Sequence, residues 1–118
     1  LIGEKSALDE IVVTAASGTT GAGRSAKINL IGSEVMNSIS AYKVGGVHQH
    51  TPEIEEAISA VTDQKVRLSF TPLLAPLPRG IIASVSIRVS KSSTEELHTL
   101  FSKFYGNENF VKIFYIIS

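Results

Sequence analysis

Ile81 to Val89 is the segment that most restricts the fold, because Ile81, Ala83, Val85, Ile87 and Val89 share one side of an extended chain. Ser84, Ser86 and Arg88 share the other side. A strand with one apolar face needs a cover for that face, and two segments offer helices to provide it. Thr51 can cap the first, Pro52 suits its first helical position, and Ile54, Ala57, Ile58 and Val61 recur at helical spacing. Ser92 or Ser93 caps the second, with Glu95 or Glu96 placed for a capping box. Leu97, Leu100, Phe101 and Phe104 form its apolar stripe, and Gly106 ends it. Two helices are too few to cover both faces of a sheet. The expected fold is therefore α+β, a mostly antiparallel mixed sheet with the helices on one face.

The remaining strands are expected at Ile11 to Ala15, Ser38 to Val44, Lys65 to Thr71 and Phe110 to Ile117. The second of these would deliver Tyr42 toward the histidines. Residues 1 to 8 read as a helix end or linker, and 25 to 37 as loop with one short element. Pro72, Pro76 and Pro78 stiffen a loop that ends in Arg79-Gly80.

At 118 residues the chain forms one domain. Eleven basic and eleven acidic residues cancel, so charge gives no case for nucleic acid or an anionic membrane as partner. No apolar run reaches the length of a membrane span, and no secretory pattern opens the chain. With no cysteine, these residues hold neither a disulfide nor a nucleophilic thiol. The start at Leu1-Ile2-Gly3, without an initiating Met, reads as a piece of something longer.

Chemistry concentrates in two places. His48 and His50 stand one residue apart just ahead of a helix start, with Gly45-Gly46 upstream to turn the backbone. In an extended segment the two imidazoles project to one side. A helix N-terminus disfavours imidazolium and favours a bound anion, so the pair suits acid/base work beside a negatively charged substrate. A polar loop bonded to its own backbone would show the same residues. A metal site is not expected: two histidines need further ligands, no cysteine exists, and His98 lies far along the chain as a surface residue.

The other place is Ser17-Gly18-Thr19-Thr20-Gly21-Ala22-Gly23-Arg24, a glycine-rich turn after a strand. Its N–H groups, hydroxyls and Arg24 could converge on an anion, or it could be a flexible surface loop. It is neither a Walker loop nor a dinucleotide fingerprint.

Three stretches together resemble the C-terminal, substrate-side domain of the N-acetyl-gamma-glutamyl-phosphate reductases, also called N-acetylglutamate semialdehyde dehydrogenases. They are Ser17-Gly18 with Gly21-Ala22-Gly23-Arg24; Tyr42 with Gly45 and His48-Gln49-His50-Thr51-Pro52-Glu53-Ile54; and Phe70-Thr71-Pro72 through Pro76 to Arg79-Gly80-Ile81. The resemblance covers about residues 9 to 90 and, more loosely, the final helix. Two positions depart from it: Ala16 stands where members often have Lys, and Leu73 where they often have His.

The resemblance implies a two-domain, cytoplasmic enzyme of arginine biosynthesis, related in plan to glyceraldehyde-3-phosphate dehydrogenase. Residues 1–118 would be its substrate and dimerisation domain, without the NADP-binding domain and inactive alone. In that family a cysteine thiolate attacks the acyl phosphate of N-acetyl-gamma-glutamyl phosphate, and hydride from NADPH reduces the thioester to the semialdehyde. His48 or His50 would move the protons, with Glu53 orienting one of them or accepting a substrate hydrogen bond. Ser17, Gly18, Gly21, Arg24, Tyr42 and Arg79 would contact the substrate. A non-catalytic oligomerisation module with an anion-binding glycine loop is the alternative. Either way a homodimer is expected, burying the serine-rich sheet face.

Overall fold

The computed structural model describes residues 6–19, 38–89 and 92–114, with side chains from Glu10 onward. The elements are β1 (Ser6–Ser17), β2 (Ser40–Ala41), α1 (His50–Thr62), β3 (Leu68–Leu74), β4 (Ile81–Val89) and α2 (Thr94–Tyr105). The strands form one mixed sheet in the order β2-β3-β1-β4. β1 and β3 run parallel in register from Ile11 opposite Leu68 to Ser17 opposite Leu74. β2 is antiparallel to β3, with Ser40 opposite Leu74 and Ala41 opposite Leu73. A parallel pair cannot be closed by a tight turn, and α1 lies in the connection between its two strands. The α+β class with a mixed sheet is as the sequence predicts. The described residues fall into two compact units, one within Leu8–Ile87 and one that takes in Arg88 and the residues beyond it.

In the first unit the core is Ile11, Val66 and Leu68, with Val13 and Phe70 from the sheet, Ile54 and Ile58 from α1, and Ile87 from β4 packed around them. Alternation then assigns the faces. Leu68, Phe70 and Ile87 pack on the core side, so Arg67, Ser69, Thr71, Ser84 and Ser86 lie on the opposite face. Two α1 side chains fasten the incoming strand. Glu55 Oε1 accepts from Leu68 N–H at 2.7 Å, and Ser59 Oγ accepts from Val66 N–H at 3.3 Å. β3 begins at Leu68 rather than Lys65, and just ahead of it the Arg67 carbonyl accepts from Ile11 N–H of β1 at 3.0 Å.

Pro72 lies inside β3, fully buried, although the sequence placed it in the following loop. Its carbonyl accepts from Tyr42 N–H at 3.1 Å. A residue's N–H and C=O point to the same side of a strand, so the missing N–H faces the flank where two-residue β2 has already ended. Opposite Tyr42, Pro72 can give no return bond, and the ladder with β2 ends there.

Other expectations are corrected. Residues 6 to 8 are strand, not helix or linker, because β1 is extended along the sheet beyond its β-branched run. Of the core-facing β4 residues only Ile87 packs on the core, and Ile81 and Val85 are 69% and 55% exposed. Ala57 and Val61 of α1 are exposed as well, leaving Ile54 and Ile58 as its buried stripe. Of the strand expected at Phe110 to Ile117, residues 110–114 are not strand and 115–117 lie outside the described residues. Turns come after α2, with Glu108 N–H on Tyr105 O and Val111 N–H on Glu108 O, and among the described residues no strand pairs with 110–114. In the second unit, α2 carries the expected capping box: Ser93 Oγ accepts from Glu96 N–H, and Glu96 Oε2 accepts from Ser93 N–H, each at 3.2 Å. His98 on that helix is half-buried rather than a surface residue.

Candidate functional site

β2 ends one residue before Tyr42, whose N–H bond to Pro72 fixes it against β3. The chain then reverses through Lys43, at φ 47°, and Gly45 and Gly46, at φ 80° and 81°. Left-handed backbone is costly for most residues and nearly free for glycine, which accounts for the pair. The turn delivers His48 to the start of α1. There its carbonyl accepts from Thr51 N–H at 3.0 Å, and its ring Nδ1 accepts from His50 N–H at 3.3 Å. Helix starts leave donors without intrahelical partners, and His48 takes two of them.

Thr51 was expected to cap this helix. α1 instead begins at His50, Gln49 occupies the cap position in helical conformation without a side-chain capping bond, and Thr51 lies in the first turn. The Thr51 hydroxyl is buried without a hydrogen-bond partner among the described residues.

The His48 ring is only 7% exposed. It meets Tyr42, His50 and Phe70 edge to face, at centroid distances of 5.6, 4.9 and 5.0 Å. Its pKa lies below the ordinary histidine value, chiefly because burial strips water from the charged form, and also because His50 and Lys43 repel a second positive charge. Glu53 pulls weakly the other way. The His50 ring is exposed, and the Gln49 side-chain amide lies 3.4 Å from its Nε2. One imidazole is thus held neutral inside, and its neighbour is open to solvent.

The glycine-rich stretch is built differently. Gly18 N–H donates to Gly80 O at 2.9 Å, Thr19 N–H to Leu77 O at 2.9 Å, and Ala75 N–H to Ser17 O at 2.9 Å. The Ser17 and Thr19 hydroxyls donate to Leu73 O and Leu77 O, each at 3.3 Å. A Cβ on Gly18 would stand 2.8 Å from Leu77 O and 2.9 Å from Arg79 N. The close approach that glycine permits here is to the proline loop of the same chain.

Tyr42, His48 and His50 therefore come together, with Glu53 on the next turn of α1. Ser17, Gly18 and Arg79 come together separately, and Arg79 is exposed. Both groups flank β3: His48 packs on Phe70, whereas Ser17 pairs with Leu74, four residues or roughly 13 Å further along the strand. Gly21 and Arg24 lie outside the described residues. Ala16 and Leu73 are register partners on adjacent strands, on the sheet face away from the histidines.

Sequence reasoning missed Phe70, Gln49 and Lys43 as neighbours of the imidazoles. Phe70 sits in a visibly alternating strand, but nothing local in the chain links it to His48. Among the described residues no three of His, Cys, Asp or Glu gather as a metal site. The backbone approach at Gly18 is filled by Leu77 and Arg79, so this glycine leaves no opening for a ligand. No helix among them is long and apolar enough to cross a membrane.

Comparison with known proteins places this geometry in context. The family described as "Semialdehyde dehydrogenase, dimerisation domain" matches residues 2–116. An N-acetyl-gamma-glutamyl-phosphate reductase of Acidothermus cellulolyticus is 52% identical over 106 residues, which is 89% of this chain and 31% of the relative. Proteins of the same name from Streptomyces clavuligerus and Thermobifida fusca are 51% and 49% identical, over 90% and 88% of this chain and 32% and 31% of their own. The chain spans about a third of the length of the curated relatives it matches.

Proposed function

The chain belongs to the family of semialdehyde dehydrogenase dimerisation domains, and from that we propose an NADP-dependent, cytoplasmic reductase acting in arginine biosynthesis as the whole protein. It would convert N-acetyl-gamma-glutamyl phosphate to N-acetylglutamate semialdehyde. The relatives' names support the substrate, and the observation that carries the reading here is the unequal imidazole pair at the start of α1.

Reduction of an acyl phosphate through a thiolate requires a base to ionise the thiol and a donor for the oxygen that forms later. A single imidazole can serve both steps in turn. His50 is the residue assigned to them, being exposed and not committed to its own backbone. Glu53, one turn along the same helix face, orients His50 or accepts a hydrogen bond from the substrate. Tyr42 and the exposed Arg79 are the side chains offered to substrate oxygens, Arg79 because its fork matches an oxyanion. The thiol must come from outside these 118 residues, which contain no cysteine, so by themselves they are expected to turn over nothing. NADP would likewise be held elsewhere in the protein, and no step is assigned to it here. The test is NADPH oxidation by the full-length protein with N-acetyl-gamma-glutamyl phosphate. Absence of substrate-dependent oxidation would remove the reading.

A second role, homodimer formation, rests on the sheet face opposite α1. Arg67, Ser69, Thr71, Ser84 and Ser86 make that face polar but sparsely charged, and serines leave a flat surface that a second sheet can approach. Ser86→Glu should shift the sedimenting species from dimer to monomer. A wild-type monomer at tens of micromolar, or an undisturbed dimer in the variant, would show that this face is not the interface.

A further inference from the structure

We infer that His48 is a positioning residue: it holds the first turn of α1 and aims the His50 imidazole, and it does not itself carry the proton. The inference rests on the assignment of acid/base work to His50 made above. Its basis is the direction of the hydrogen bonds. His48 Nδ1 accepts the His50 N–H at 3.3 Å, so that nitrogen's lone pair is occupied. The proton of the neutral ring then resides on Nε2. A ring in that state has no free lone pair with which to act as a base. Gaining a proton at Nδ1 would break the contact and set a cation against a helix N-terminus in a buried site.

The groups around the ring point the same way. Tyr42 and Lys43 flank it from the turn after β2, His50 and Glu53 from α1, and Phe70 from β3. Phe70 is apolar, Lys43 and a protonated His50 disfavour the imidazolium, and only Glu53 favours it. The same bonds make His48 an effective anchor. Its carbonyl and Nδ1 hold Thr51 and His50 by their N–H groups, and its ring meets the His50 ring at 4.9 Å. His48 thereby holds the backbone of its neighbour and stands against one side of its ring, whose Nε2 meets the Gln49 amide at 3.4 Å. An aimed general base matters because misplacement of a reacting group by about 1 Å can reduce rate on the order of 10²-fold.

The experiment uses the full-length protein and three variants. Asn in His48→Asn can accept the His50 N–H, whereas His48→Ala cannot. His50→Asn removes the proposed acid/base. His48→Asn should stay within about tenfold of wild-type kcat and keep the acidic limb of the kcat/KM pH profile. His48→Ala should lower kcat by on the order of 10²-fold, with KM and the limb preserved. His50→Asn should lose about 10²–10⁴-fold and flatten the limb. A merely structural role for His48 would reduce the folded fraction and leave kcat per folded molecule unchanged, which would overturn the inference. So would a flattened limb in His48→Asn beside an intact limb in His50→Asn, since the roles would then be exchanged. If neither histidine moves the limb, the acid/base assignment itself fails, and this pattern is distinct from the others. Histidine-ring nitrogen NMR supplies a measurement independent of turnover. It should show His48 as the Nε2–H tautomer, and a proton on Nδ1 in the neutral ring would exclude the proposed role.

Discussion

The two flanks of β3 carry similar residues and do opposite things with them. On one flank, Tyr42 to His50 combines a glycine turn, polar side chains and a helix start, and the open His50 ring faces outward from it. On the other, Ser17 to Thr19 also combines glycine with hydroxyls, but its donors are bound to carbonyls of Leu73, Leu77 and Gly80. Glycine has a different purpose in each. Gly45 and Gly46 serve a left-handed turn, while Gly18 admits a neighbouring backbone. Composition alone marks both as candidate anion sites. What separates them is where each donor ends, which long-range contacts decide.

The sharpest contrast comes from one substitution on each flank. His50→Asn in the full-length protein should lower turnover by about 10²–10⁴-fold with little change in melting temperature. Turnover within a few-fold of wild type would place proton transfer elsewhere. Gly18→Ala should behave conversely. Its new Cβ would meet backbone at 2.8 and 2.9 Å, contacts that a flexible side chain's retreat cannot relieve. Overpacking of this kind costs about 3 kcal/mol. Denaturant unfolding reads it directly, and an unchanged midpoint would mean that the seam separates easily and that its glycine is free for a ligand.

How much of this could be foreseen depends on how local each determinant is. The Ser93–Glu96 capping box spans four residues and is legible in the chain, as is the alternation of β4. Burial of β4 is not legible, because whether Ile81 and Val85 are covered depends on what packs on them. Thr51 followed by Pro52 is a strong cap signal, yet His48, three residues earlier than Thr51, takes the donors instead, one with its ring and one with its carbonyl. Histidine is not among the usual capping residues, so no pattern announces it. The His-x-His run is legible as a candidate site. Its asymmetry is not, since it comes from Phe70 and Tyr42, brought in by β3 and β2.

Stability against pH offers a third comparison. The folded His48 pKa is depressed, so below about pH 6.5 the unfolded chain binds a proton that the native ring refuses. The unfolding free energy should therefore fall as pH drops from that value toward the folded pKa. It should be unaffected by His48 above that window. His48→Asn should remove this part of the slope, whereas Gly18→Ala should lower stability evenly across the range. Equal slopes in wild type and His48→Asn would mean that His48 titrates as an ordinary histidine.

The smallest expected effect tests whether the seam is only structural. Ser17 was a candidate substrate contact, and its hydroxyl donates to Leu73 O at 3.3 Å, a long bond with modest strength. Removing it in Ser17→Ala should cost about 1 kcal/mol, the usual net value of a single hydrogen bond. The register of β1 on β3 rests on backbone pairs from Ile11 to Ser17 and should survive. If the hydroxyl serves the seam alone, KM for N-acetyl-gamma-glutamyl phosphate should stay within about twofold of wild type while the melting temperature falls slightly. A substrate contact would give the reverse: a KM raised about tenfold, the loss expected for roughly 1.4 kcal/mol of binding, at unchanged stability. That outcome would make Ser17 a residue that exchanges its bond to Leu73 for one to the ligand. The two flanks of β3 would then form one continuous substrate site rather than an active flank and a structural one.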